Sequence, residues 1–323
     1  MSERPAINLR QISAQCGFST CTVSRVLSGR AREFRITEET EQRILKVAQE
    51  SGYRPNYLAH SLNTGRTNTI GLLLANRVDS YLGSLLEGVE ARLRGTPNRM
   101  VVATCENDPE LQRQELEAFA YRRVDGILLY PLARPQTATR PTRTASPATT
   151  CPTIIIGRRA ARQTDEVMLN DAQAGQEAAR RAVQSGARRF VVLTNRTDCS
   201  SDQARVEGFC AEIRRAGFPA KSVQIIYGDA LPNRLLNTPA VFAVNSGLLL
   251  RLLTECKPTA TAAPYRISIG EIEARDLLPV PVDTLAIPGR ELGVQAADLL
   301  LWRLDHADEP IQRRTVSFFY PAL

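Results

Sequence analysis

Histidine is nearly missing from this 323-residue chain, which has only His60 and His306, and tryptophan occurs once. So little imidazole removes the commonest general base and the commonest metal ligand. No GxxxxGK phosphate loop, GxGxxG turn, HExxH pair or GxSxG elbow occurs, so the sequence lends no support to an enzyme. Seven cysteines stand at 16, 21, 105, 151, 199, 210 and 256. Their number is odd and no CxxC pair exists, which speaks for reduced thiols and against a disulfide framework or a zinc site. No apolar run reaches the roughly 18 residues of a membrane helix, and the opening Met-Ser-Glu-Arg-Pro has no signal-peptide core. A soluble, cytoplasmic protein with no metal, cofactor or membrane partner is expected.

What is present is basic charge, unevenly spread. Residues 1–66 hold ten Lys+Arg against six Asp+Glu, so four of the seven excess positive charges sit in the first fifth of the chain, where a polyanion would be met. The same stretch contains Cys16-Gly-Phe-Ser-Thr-Cys-Thr-Val-Ser-Arg-Val-Leu27. Gly17 permits a sharp turn after a first helix over 9–16, and Ser19 can cap a second starting near Thr20. Ile12, Cys16, Phe18, Val23, Val26 and Leu27 then share a small core, leaving Thr20, Cys21, Ser24 and Arg25 outward. A third helix, capped by Thr37, carries Ile44, Leu45, Val47 and Ala48 at helical spacing. Three such helices read as a DNA-binding head; the competing reading is any short helix pair with a glycine turn.

From Thr69 apolar runs alternate with amphipathic stretches. Strands are expected at 70–75, 100–104, 126–130 and 153–157, with helices at 81–94 and 110–121 between them. A second set places strands at 167–169, 190–194, 223–227, 241–244 and 267–270, and helices at 172–185, 203–216 and 247–256. This is βαβ alternation in two lobes, with a ligand cleft at the strand C-termini. Residues 131–151, with four prolines and no apolar periodicity, read as a surface loop. The helix over 289–304 carries Leu292, Ala296, Leu299, Leu300 and Leu304, which serve either a dimer partner or the interior of one lobe.

The runs Asn8 to Ser19, Thr22 to Gly29, Gly52 to Leu62, Thr69 to Leu74, Arg123 to Leu129, Arg205-x-x-Gly208-Phe209 and Gly270 to Pro288 closely resemble the lactose-repressor (LacI/GalR) family of bacterial transcription regulators. The resemblance implies an α/β protein: a helix-turn-helix head over 1–54, a hinge helix and linker over 55–68, and a bilobed, periplasmic-binding-protein-like doubly wound sensor over 69–323. Lobe one would be about 69–158 plus 287–304, and lobe two about 159–286 plus 305–323. It implies a homodimer on a palindromic duplex-DNA operator, with the second helix in the major groove and the hinge, Asn56 to about Asn63, in the minor groove. DNA-contacting residues would be Ser19, Thr20, Cys21, Thr22, Ser24, Arg25, Asn56, Ala59, His60 and Leu62. Leu62 would act as an apolar wedge between base pairs; alternatively, Leu58 and Leu62 pack on a neighbouring helix. So short a helix is marginal alone, so the hinge would order on DNA.

By the same resemblance, Asn76, Tyr81, Arg158, Arg205, Asn245, Ser246 and Glu273 would line an effector cleft for a sugar or related metabolite. Sugar-binding members carry Asn-Asp where this chain has Asn245-Ser246, and Gly-x-Asp-Asp where it has Gly270-Glu-Ile-Glu. Loss of two carboxylates removes acceptors for vicinal hydroxyls. Three readings follow: a less hydroxylated ligand, substitution by Glu271 or Glu273, or a cleft without effector. A repressor is the leading reading, and a small-molecule binding protein with a vestigial DNA head is the alternative.

Overall fold

The computed structural model describes residues 7–53, 61, 64–75, 79–133, 151–159, 164–195, 199–228, 231, 238–255, 265–273, 275–278, 280–318 and 320. They fall into two compact units, Met1–Asn68 and Thr69–Leu323.

The first unit is three helices, α1 (Leu9–Cys16), α2 (Thr20–Leu27) and α3 (Glu38–Glu50). Each begins at a side-chain cap. Asn8 and Gln11 form a reciprocal capping box, Ser19 accepts from the Thr22 amide, and Thr37 accepts from the Thr40 amide. Gly17, in the left-handed region at φ 76°, closes α1 and returns its amide to the Ser13 carbonyl. Ile12, Cys16, Val23, Val26, Ala31 and Ile44 make the core. Leu45, expected to join it, remains 39% exposed, because Ile44 and Ala48 set the buried face of α3.

The second unit has two parallel sheets. Its elements are β1 (Thr69–Leu74), α4 (Ser80–Leu93), β2 (Arg99–Thr104), α5 (Pro109–Tyr121), β3 (Gly126–Tyr130), β4 (Thr153–Ile156), β5 (Asp165–Leu169), α6 (Asp171–Gln184), β6 (Phe190–Thr194), α7 (Ser200–Arg215), β7 (Val223–Tyr227), β8 (Ala240–Ala243), α8 (Ser246–Glu255), β9 (Tyr265–Ile269), β10 (Asp283–Leu285), α9 (Gly289–Asp305) and β11 (Arg313–Val316). Lobe one has strand order β11-β5-β4-β3-β1-β2 and lobe two β10-β9-β8-β6-β7. The inner strands β3, β4, β6 and β8 are buried at every position, as a parallel sheet covered on both faces requires.

The lobe boundary differs from the expectation. Residues 165–169 and 313–316 belong to lobe one and not to lobe two: β5 pairs with β4 at Ile154 and Asp165, and β11 pairs with β5 at Arg313 and Glu166. The chain therefore crosses after β5, not before it. Only the last described residues return to lobe two: the Gln173 side chain bonds the Phe318 backbone, and the Arg181 guanidinium lies over Tyr320. The loop expected at 131–151 falls, from 134 to 150, outside the described residues, as does most of the hinge.

Helix pairs lock each lobe. Where α4 meets α9, a Cβ on Gly88 would lie 2.0 Å from the Arg290 carbonyl, and one on Gly293 2.2 Å from that of Leu85. Where α6 meets α7, Gly175 and Gly208 face the Arg205 and Ala172 carbonyls at 2.0 and 2.1 Å. Any side chain there would force the helices apart. Leu292, Ala296, Leu299 and Leu300 of α9 are buried inside lobe one, so packing within the lobe accounts for that face and it carries no argument for a dimer.

The turn from α9 to β11 hangs on Arg303. Its Nε and Nη2 grip both oxygens of buried Asp165 at 2.6 and 2.8 Å, while its remaining donors reach the carbonyls of His306, Glu309 and Pro310. Arg303→Met removes both guanidinium donors from buried Asp165, which keeps only the Gln312 amide, and takes the donor of the Glu309 carbonyl. It should cost about 3–5 kcal/mol in urea unfolding, and a loss below about 1 kcal/mol would show that the cluster is dispensable.

Candidate DNA interface and effector cleft

On α2 the structure separates residues that hold the helix from residues free to meet a ligand. Ser19 Oγ accepts from the Thr22 amide at 3.1 Å and meets Thr22 Oγ1 at 2.9 Å, so both hydroxyls serve the cap. Ser24 is half-buried and gives its carbonyl to Ser28. Thr20 and Cys21 are exposed. Arg25 lies over the Phe34 ring, its Cζ 3.8 Å from the centroid, and Arg30 covers the same ring at 5.0 Å while pairing with Glu33. Stacking restricts the Arg25 rotamers before any DNA arrives. Phe34 was missed in the sequence; its signal was one aromatic among arginines in Arg30-Ala-Arg-Glu-Phe-Arg35. Asn56, Ala59, His60 and Leu62 lie outside the described residues.

Between the lobes lies a cavity of about 940 Å³. Tyr81, Arg158, Arg205, Asn245, Ser246 and Glu273 line it; Asn76 lies outside the described residues. The cap of α4, Asp79 accepting from the Leu82 amide, sets Tyr81 at the cleft wall. Gly157, at φ 70°, turns the chain after β4 so that Arg158 enters; a Cβ there would lie 2.8 Å from the Tyr130 ring. Tyr81 and Tyr130 pack edge to face at 6.2 Å.

Arg205 is buried and held from two sides: Nε donates to Asp171 Oδ1 and Nη1 to the Val244 carbonyl, both at 2.8 Å. Burial pulls its pKa down, but the Asp171 and Asp202 carboxylates more than offset this, and the guanidinium stays charged. Burial pushes the Tyr81 phenol well above its usual range. Asn245 caps α8 through the Leu248 amide, and Glu273 bonds the Ser80 hydroxyl across the cleft. A second bond joins the lobes, from the Arg159 amide to Ser200 Oγ.

Sequence reasoning missed several lining residues, among them Asp202, Asn195, Tyr130 and Asn107. Asp202 stands three residues before Arg205 on α7, a spacing that puts both on one helix face, and it accepts from Asn195 Nδ2. Tyr130 ends β3, where parallel sheets present residues to ligands.

Family profiles match this arrangement: bacterial regulatory proteins of the lacI family over residues 8–56, the periplasmic binding proteins and sugar binding domain of the LacI family over 67–236, and a periplasmic binding protein-like domain over 179–319. The chain belongs to the LacI family. It is a DNA-binding transcription regulator with a helix-turn-helix head and a type I periplasmic-binding-protein-like body. Among curated relatives, the HTH-type transcriptional regulator PtxS of Pseudomonas plecoglossicida is 29% identical, over 96% of this chain and 93% of the relative. The HTH-type transcriptional repressor PurR of Haemophilus influenzae (strain PittEE) is 24% identical, over 94% and 93%. The lac repressor dimer bound to operator and the anti-inducer ONPF shares the fold with TM-score 0.76 at 18% identity, covering 98% of each chain. The CelR–cellobiose complex does so with TM-score 0.66 at 21% identity, covering 99% of each.

For this LacI-family head, Phe34→Leu removes the ring beneath Arg25 while keeping an apolar side chain. A lost stack of about 0.5–1 kcal/mol should weaken DNA binding roughly two- to fivefold, measured by fluorescence anisotropy, with the fold unchanged by circular dichroism. Unchanged affinity would mean that the stack does not prepare Arg25 for binding.

Proposed function

We propose that the chain is a repressor that binds a palindromic operator as a homodimer, modulated by a small molecule seated between its lobes. The observation that carries this is α2: an exposed face of Thr20 and Cys21 beside an arginine already stacked in place, on the most basic part of the chain. Thr20 and Cys21 are poor bidentate readers, so specificity draws on thymine methyls and DNA shape, with Arg25 fixing register on phosphate or guanine. The head keeps all three helix caps and a closed core, which speaks against a vestigial remnant.

The remaining readings follow the family. The protein acts by binding and not by catalysis, and it works in the cytoplasm; among the described residues no helix is long and apolar enough to cross a membrane. Support for a dimer comes from the sheet edges. The outermost strand of lobe one, β2, leaves Val101 and Val102 39% and 41% exposed, and the outermost strand of lobe two, β7, leaves Ile225 44% exposed. Unprotected apolar edges are rare on monomers unless something covers them.

Two measurements test this. A duplex selected from random DNA should bind at least about a thousandfold tighter than scrambled duplex at physiological salt; equal affinities with an ordinary salt slope would reject specific regulation. Val101→Asp with Val102→Asp should shift the chain from dimer to monomer in sedimentation velocity and weaken operator binding. A dimer of unchanged affinity would place the interface elsewhere.

A further inference from the structure

We propose that the cleft effector carries a carboxylate and that Arg158 receives it. This rests on the effector cleft of the proposed function and adds the chemical class of the ligand. Arg158 enters the cavity from the C-terminal end of β4 with the Tyr130 ring beneath it, Cζ 4.6 Å from the centroid. Its Nη1 donates to the Pro131 carbonyl at 3.3 Å, which leaves the edge formed by Nε and Nη2. Nε is buried without an acceptor, and among the described residues Arg158 forms no ion pair. The Tyr81 hydroxyl, in the same wall, is also buried and unbonded. Both atoms are shielded from solvent in this arrangement of the lobes, so a ligand oxygen reaches them only if the lobes or side chains shift. The Nε and Nη2 hydrogens of a guanidinium are spaced to meet the two oxygens of one carboxylate, an acceptor pair that a neutral sugar does not have.

Most other charges in the cavity already have partners. Arg205 is held by Asp171 and Val244, so it adds no free cation. Asp202 accepts from Asn195, Asp79 from Leu82, and Glu273 from Ser80, and Glu271 is exposed to solvent, where its pull on an amine is screened. A phosphate dianion calls for more positive charge than one unpaired guanidinium, and the acidic rim of Asp79, Glu271 and Glu273 opposes it. Ser246 and Ile272 in the lining offer no carboxylate to accept vicinal hydroxyls, which weakens the case for a neutral polyol further.

The test is isothermal titration calorimetry of the full chain with four probes paired by charge: D-gluconate and D-glucuronate against D-glucose and D-glucose 6-phosphate. At least one sugar acid should bind about tenfold or more tighter than glucose, a difference of about 1.4 kcal/mol, and tighter than the phosphate. Arg158→Gln should abolish the preference, and Arg158→Lys, which keeps the charge and loses the fork, should retain only part of it. Thermal melts of the unliganded variants establish that they fold; should the Gln variant not fold, the Lys variant decides. The inference is overturned if neither acid binds, if glucose or the phosphate binds as well as the acids, or if the preference survives in both variants. Operator binding is scored separately: a chain that takes sugar acids and ignores operator upholds this inference and sinks the regulator, and the opposite pattern does the reverse.

Discussion

The Arg205–Asp171 pair is the constraint on which the body of the protein depends. Asp171 is the first residue of α6, set down where the chain has just crossed from lobe one, and Arg205 lies midway along α7. The second donor of Arg205, to the Val244 carbonyl, adds the end of β8, so one guanidinium ties two helices and a strand terminus together beneath the cleft. The pair can sit so deep because α6 and α7 meet at Gly175 and Gly208 with backbone against backbone. A buried ion pair adds little stability over an apolar substitute, but losing one member leaves an uncompensated charge, so the pair specifies geometry more than it adds free energy.

That constraint shapes what the cleft can recognise. A guanidinium engaged by a carboxylate and a carbonyl fixes the wall and has few hydrogens left for a ligand, and Asn245 and Glu273 are likewise engaged by α8 and Ser80. Among the described residues assigned to effector binding, Arg158 and Tyr81 alone keep buried atoms without partners. Arg158 stands after a left-handed glycine that only a residue without Cβ could occupy so close to Tyr130. Recognition therefore moves away from the conspicuous arginine of α7 to the less conspicuous one after β4.

Much of the fold was legible because buried parallel strands and capped helices write strong local patterns. The strands 126–130, 190–194 and 223–227 and the helices starting at Leu9 and Thr20 need only neighbours a few residues away to be read. Sheet membership is a different quantity. β5 has an alternating burial pattern that fits either lobe, and β11, Arg-Arg-Thr-Val, is an edge strand whose charged residues hide it among surface segments. Only long-range pairing places them, which is why the lobe boundary was drawn too early. The site was legible in part: the family resemblance pointed to Arg158 and Arg205 as cleft residues, but that Arg205 is already engaged depends on Asp171, 34 residues away. Phe34 escaped notice because a ring under an arginine needs the turn after α2 to bring them together.

The two bonds across the cleft, Glu273 to Ser80 and the Arg159 amide to Ser200, bear on how a ligand would act. Both tie the lobes in this arrangement, so a ligand that needs another arrangement must break them. A ligand can move the equilibrium between lobe arrangements only by the difference of its affinity for each, however tightly it binds. If the oxyanion of the effector satisfies Arg158 and Tyr81 in the closed arrangement alone, it adds to the closure that these two bonds hold. If it reaches them only with Glu273 pulled from Ser80, it opposes that closure. The sign of regulation thus lies in whether Arg158 and Glu273 can both be satisfied in one arrangement, and tight binding by itself does not decide it.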